Sequence, residues 1–153
     1  FWLLGSLGGA DWLDVALCAA VVAVGLVVCL THSRALDAFA FGEDAASSLG
    51  VNVWRVRVTL LLATALMTAV IVSVAGAIGF VGLVLPHAAR ALVGSNHRRL
   101  LPASALIGSI FLVWVDAVAR TAIAPQELPA GVVTALVGVP AFAVILWRRK
   151  ARP

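Results

Sequence analysis

The side chains that could do chemistry in this sequence are few and widely separated. Its three histidines, His32, His87 and His97, lie on different segments, which does not favour a metal site. The only lysine is Lys150, and the sequence contains no GxxxxGK[ST] loop for nucleotide phosphates. It also lacks the GxSxG nucleophile elbow and the HExxH zinc helix. We therefore predict no catalytic residue, no metal site and no cofactor.

The best-placed pair of opposite charges is Asp116 and Arg120, which are four residues apart. On a helix this spacing puts both side chains on one face, and pairing would lower the cost of charge near a membrane boundary. Arg120 could in addition meet an acidic partner surface. Two other classes stay open. In an ion-coupled secondary transporter Asp116 would be the coupling carboxylate. In an intramembrane enzyme Ser104 or Ser109 would need a base, and their span has no histidine.

The segments that must position these residues are predicted to cross a membrane. Of the 153 residues, 63% are hydrophobic and 12% are charged. The mean hydropathy is +1.10, and such values are typical of polytopic membrane proteins. The net charge is +4, but the arginines flank apolar runs. Membrane orientation therefore explains the charge better than nucleic-acid binding does.

An uncharged run of 32 residues separates Arg57 from Arg90. As one straight helix it would extend roughly 48 Å, whereas the hydrocarbon core is about 30 Å thick. Near its middle, glycine recurs every third residue, at Gly76, Gly79 and Gly82, where a chain can turn or a neighbouring helix can approach closely. Pro86 follows and is expected to bend the second arm. We predict a hairpin with spans at 56–75 and 78–93.

Positive charge defines the predicted orientation. The positive-inside rule puts all three basic clusters on the cytoplasmic side, so an even number of spans separates consecutive clusters. The turns at Asp11 and Gly76 and the linker 120–127 then face outward. The prediction is an all-α, polytopic transmembrane helical bundle of about five complete spans, at 12–30, 56–75, 78–93, 100–119 and 131–147. The basic clusters are Arg34, Arg55 and Arg57, then Arg90, Arg98 and Arg99, then Arg148, Arg149, Lys150 and Arg152.

Residues 31–57 form the longest polar stretch between predicted spans, and residues 34–55 within it are predicted to form one cytoplasmic segment. Gly42 and Gly50 divide it into two short amphipathic pieces that would not be stable alone in water. Such pieces usually lie on a partner or on the membrane face, and a solvated loop is the alternative. The apolar residues of this stretch include Leu36, Phe39, Phe41, Leu49 and Val51.

Long stretches of the chain resemble the C-terminal half of the permease subunit of FecCD-type ABC importers, which take up iron-siderophore complexes and cobalamin. The resemblance implies a single transmembrane permease domain over residues 1–153, holding roughly the last five of about ten spans. A start at Phe1 is accordingly interpreted as a missing N-terminal portion. The matching segments are SRALDAFAFGEDAASSLG (33–50), GAIGFVGLVLPHAAR (76–90), NHRRLLPASALIGS (96–109), DAVAR (116–120) and ELPAGVVTALVGVPAF (127–142).

The resemblance also implies roles for particular residues. The segment matching 36–50 forms short cytoplasmic helices that dock on a separate ATPase subunit, and Glu43 and Gly50 match its GE and LG positions. Arg120 matches an arginine that contacts a glutamate of the substrate-binding protein on the outer side. The implied ATPase-coupling residues are Leu36, Phe39, Gly42, Glu43, Leu49 and Gly50.

The implied activity is ATP-driven import by alternating access across the bacterial plasma (inner) membrane. A second permease subunit completes the pathway, and the chain itself is not an enzyme because the partner hydrolyses ATP. Iron-siderophore complexes are the first expectation for the substrate. Cobalamin and haem are the alternatives.

Overall fold

All regular structure in the described part of the chain is helical, as the all-α prediction requires. The computed structural model describes residues 5–121 and 128–150. The helices in chain order are α1 (Trp12–Thr31), α2 (Ser33–Phe39), α3 (Glu43–Ser48), α4 (Val53–Ala75), α5 (Val81–Val93), α6 (His97–Thr121) and α7 (Ala130–Lys150).

Helix length separates these elements into two groups. Within the described residues, α1, α4 and α6 are long and apolar enough to cross a membrane, with 20, 23 and 25 residues. Helix α5 has 13 residues and extends about 20 Å, less than the hydrocarbon thickness of about 30 Å. Helix α7 has 21 residues, and its residues Ala130–Ala143 form an apolar segment. The five predicted spans thus correspond to α1, α4, α5, α6 and α7, of which α5 is the short one.

The predicted glycine turn is present, but its connection is longer than expected, and the two helices that it joins do not pack on each other as the predicted hairpin requires. Helix α4 packs mainly on α1, and α5 packs mainly on α6. Helix α4 ends at Ala75 and is capped by Gly76, whose φ of 70° lies in the left-handed region that favours glycine. Residues 76–79 are not helical, and Phe80, with φ 66°, precedes α5. An added Cβ at Gly79 or Gly82 would meet none of the described atoms within 4 Å. Pro86 lies inside α5, which continues to Val93.

Hydrogen bonds between distant residues show which helix ends lie together. The Ser6 N–H donates to the Ala75 carbonyl at 3.0 Å, so the turn before α1 meets the end of α4. The His97 N–H donates to Asp37 at 3.0 Å, so α6 begins beside α2. The helix pair α2 and α3 therefore marks one end of the bundle, called the α2–α3 end below. Residues 76–80 belong to the other half.

The described helices bury little of their own apolar surface. A small cluster of buried residues lies where α6 meets α7: Val115, Ala119, Ala130 and Val133. In α1 and in α4 only 6% of the most apolar window is buried. Exposed apolar surface of this extent suits contact with lipid tails or with further membrane helices.

Candidate functional site

The polar stretch predicted at 34–55 folds into two short helices separated by a glycine turn. Gly42 precedes α3 with φ 100°, and Gly50 follows it with φ 82°. Both values lie where a side chain would be strained, so the predicted glycine breaks have a clear conformational cause. The segment is therefore an ordered helix pair, not an irregular loop.

Asp37 ties α2 to the beginning of α6. Its Oδ1 accepts the backbone N–H of His97 at 3.0 Å and the His97 Nδ1–H at 2.6 Å. The ring nitrogen must be the donor because a carboxylate can only accept. These hydrogen bonds, first from the backbone and then from the side chain, lower the pKa of Asp37 below its ordinary value. The sequence analysis missed this contact.

Glu43 ties α3 to α4 through an ion pair with Arg57. The two side chains are 59% and 51% exposed, so the pair contributes at most about 1 kcal/mol. The pair shows how the helices are placed, because it joins the first turn of α3 to the second turn of α4. Glu43 was predicted as an ATPase-coupling residue, and here its carboxylate is engaged within the chain.

Large apolar side chains project from the α2–α3 end. Leu49 is 72% exposed and Phe41 is 81% exposed, and both lie beside the glycine turns. Leu36 and Phe39 are half-buried. Phe41 was not among the predicted site residues, although its place next to Gly42 was a usable signal. Exposed apolar side chains on an otherwise polar segment can be covered by a partner or by the membrane face.

At the opposite end of α6, Arg120 lies beside Asp116. The Arg120 Nε–H donates to Asp116 Oδ2 at 2.8 Å, which bears out the predicted local pair. The Arg120 side chain is 44% exposed. The linker residues 122–127, and with them Glu127, lie outside the described residues, as does Arg152.

An apolar cavity of about 600 Å³ lies beside the non-helical residues 76–80. Its wall combines Ala77, Gly79 and Phe80 with six residues of α7, from Gly131 to Pro140. Irregular backbone at membrane depth is tolerated where it is buried in protein or lines a cavity. Gly79 therefore lines a cavity, which the hairpin prediction did not include.

Taken together, the helices and their connections define a polytopic helical membrane protein with a pair of short helices at one end. The profile of the FecCD transport family matches residues 1–148. The chain belongs to that family.

Its curated relatives are permease proteins. The chain is 48% identical to the cobalamin import system permease protein of Halobacterium salinarum, over 99% of this chain and 41% of that protein. It is 46% identical to an ABC transporter permease protein of Bacillus subtilis, over 97% and 42%. It is 43% identical to the vitamin B12 import system permease protein of Citrobacter koseri, over 98% and 45%. The chain thus spans less than half the length of these relatives.

A solved structure shares the fold. It is an inward-facing conformation of an ABC transporter described as of the metal-chelate type. The TM-score is 0.88 at 35% sequence identity, and the match covers 97% of this chain and 48% of that one. The helical arrangement described above is therefore that of part of an ABC permease.

Proposed function

We propose that this chain is part of the permease subunit of an ATP-driven importer that moves a corrinoid inward across the bacterial plasma membrane. Family membership supports the importer class, and the names of two relatives favour cobalamin. The metal-chelate type of the structural neighbour favours a second candidate, an iron-siderophore complex. This revises the order of the sequence-based expectation, which put siderophore iron first.

The observation that carries the proposal is the double anchoring of the α2–α3 helix pair. Asp37 links α2 to α6, and Glu43 links α3 to α4. A partner ATPase that grips Phe41 and Leu49 would therefore move two membrane-crossing helices together. Short helices that present apolar anchors to a groove are a common recognition mode. ATP hydrolysis itself takes place in that partner.

At the opposite end, Arg120 is proposed to contact the substrate-binding protein. Its guanidinium is already oriented by Asp116 and stays partly exposed. A charge in this position guides and orients docking more than it strengthens binding. The same pairing weakens the ion-coupled alternative, because Arg120 already engages the Asp116 carboxylate that such a transporter would use to bind its ion.

The test is uptake by the full-length permease in proteoliposomes, together with its ATPase and binding protein. We expect uptake of radiolabelled cobalamin that requires ATP and is unaffected by collapse of ion gradients. Uptake of a ferric siderophore in place of cobalamin would select the second substrate. Uptake that continues without ATP and is lost in Asp116→Asn would refute the importer proposal and support the ion-coupled class.

A working transporter is proposed to contain two permease subunits, because the resemblance implies a paired pathway. A homodimer and a heterodimer differ in a simple measurement. Co-purification of two differently tagged copies of the full-length permease is expected for a homodimer. Recovery of only one tag would point to a distinct second subunit.

A further inference from the structure

A second cavity, of about 560 Å³, lies at the α2–α3 end where α1, α2 and α6 meet. Its lining joins an apolar wall to polar and basic groups from separate helices. The apolar wall is Val27 and Leu30 of α1, the hydroxyl groups belong to Thr31 and Ser33, and the basic groups are Arg34 of α2 and Arg98 of α6.

The two arginines bring positive charge to one cavity, and no carboxylate is among its lining residues. The neighbouring carboxylate, Asp37, is engaged by His97. In the described part of the chain, neither guanidinium has an ion-pair or hydrogen-bond partner. Like charges that share a cavity repel each other, and an anion between them removes that cost. Arginine binds phosphate oxygens through two parallel N–H donors, so a phosphate group is an anion that both side chains can bind.

The apolar wall fixes the depth of the cavity relative to the bilayer. Val27 and Leu30 belong to the last turns of α1, a helix long and apolar enough to cross a membrane. Val27 is 59% exposed. The cavity therefore reaches from the hydrocarbon edge into the headgroup layer. A water-soluble ATPase would not cover Val27, and a free phosphate ion would leave the apolar wall unused.

We propose that Arg34 and Arg98 bind the phosphate group of an anionic phospholipid, whose acyl chain lies along Val27 and Leu30. The proposed orientation puts this end on the cytoplasmic side, where anionic headgroups attract basic groups near the membrane surface. The lipid would fill the corner between α1 and the helix pair. It would thereby stabilise the position of α2, which the coupling proposal requires.

The test measures lipid binding to the full-length permease in detergent by native mass spectrometry, with phosphatidylglycerol and phosphatidylcholine as probes. We expect tighter binding of phosphatidylglycerol. Arg34→Gln and Arg98→Gln should each weaken it about fivefold, and the double variant roughly 25-fold, because each removes one of the two cations that hold the phosphate, and a cation beside an anionic headgroup contributes about that factor. Arg99→Gln is the matched control, since Arg99 neighbours Arg98 and does not line the cavity.

Three results would overturn the proposal. Equal binding of the two lipids would remove the anion preference. An equal effect of Arg99→Gln and Arg98→Gln would reduce it to general surface charge. Full displacement of the lipid by millimolar inorganic phosphate would indicate a free-anion site. Circular dichroism establishes whether each variant is folded. If a glutamine variant is not folded, the lysine variants Arg34→Lys and Arg98→Lys, which keep the charge, replace it in the test.

This inference rests on the proposed membrane orientation, but its test does not involve transport. A permease that imports cobalamin and shows no lipid preference would refute the lipid site alone. A permease with the lipid site and a different substrate would refute the substrate proposal alone.

Discussion

Gly138 of α7 packs closely against Phe80, in the non-helical connection that precedes α5. A Cβ added at Gly138 would lie 2.4 Å from the Cβ of Phe80 and 2.9 Å from its Cγ. These atoms are close to the backbone, so they cannot swing away as the end of a long side chain could. Phe80 also has φ 66°, a conformation that is costly for a residue with a side chain. We predict that Gly138→Ala forces α7 and residues 76–80 apart.

The magnitude follows from overpacking. Inserting a methyl group into a closely packed contact typically costs about 1–3 kcal/mol, while alanine gains up to about 1 kcal/mol over glycine inside a helix. Gly108→Ala on α6 is the matched control, because its added Cβ would meet only Leu85 Cδ1, at an ordinary 3.8 Å. The helix term is common to both variants, so their difference isolates the clash at about 1–3 kcal/mol.

The assay is the free energy of unfolding in mixed micelles for both variants. Phe80→Gly completes a double-mutant cycle, because it removes both the clashing side chain and the left-handed strain. In that background Gly138→Ala should cost no more than Gly108→Ala does. Equal stability of the two alanine variants in the presence of Phe80 would refute the close contact and the packing of residues 76–80 on α7.

Three further predictions concern the charged contacts. Asp37→Asn should lower the free energy of unfolding at neutral pH. Because the pKa of Asp37 in the folded state lies below its ordinary value of 3.8, the wild type should lose this advantage as the pH falls below 3.8 and through the folded-state pKa. Acid unfolding of both proteins measures this difference. Glu43→Arg should separate ATP hydrolysis from uptake in the reconstituted importer, and Arg57→Glu in the same chain should restore coupling by reversing the ion pair. Arg120→Glu should weaken docking of the binding protein at low salt and slow its association, as surface plasmon resonance can follow.

Each of these has a contradicting outcome. A stability difference for Asp37→Asn that persists unchanged at low pH would exclude an effect of the ionised carboxylate. Failure of Arg57→Glu to rescue Glu43→Arg, with both proteins folded, would mean that Glu43 acts other than through α4. Unchanged association of Arg120→Glu would leave only the local pair with Asp116.

Features determined by neighbouring residues were predictable from the sequence. The first span was predicted at 12–30 and α1 is Trp12–Thr31, because its boundaries follow from a run of apolar residues and the flanking polar ones. The breaks at Gly42 and Gly50 follow from positive φ values that glycine tolerates. The pair of Asp116 and Arg120 follows from helical spacing alone.

Contacts between distant residues were not predictable in the same way. Asp37 and His97 are 60 residues apart, and no local pattern specifies that α2 meets the beginning of α6. The close approaches also fall at unexpected glycines. An added Cβ at Gly25 would lie 2.0 Å from Met67 Sδ, whereas Gly79 and Gly82, which were singled out for their spacing, have open space. Helix packing decides which glycine is needed, and a single sequence does not reveal that packing.

The most direct test concerns the side of the membrane that the α2–α3 end faces. In the full-length permease, with all of its own cysteines, including Cys18 and Cys29, replaced by alanine, single cysteines are introduced as Ser48→Cys on α3 and Gly9→Cys in the turn before α1, both at exposed positions. A membrane-impermeant thiol reagent added to intact cells should label Gly9→Cys and leave Ser48→Cys unlabelled until the cells are opened. Labelling of Ser48→Cys from outside would contradict the orientation, and with it the proposed ATPase contact.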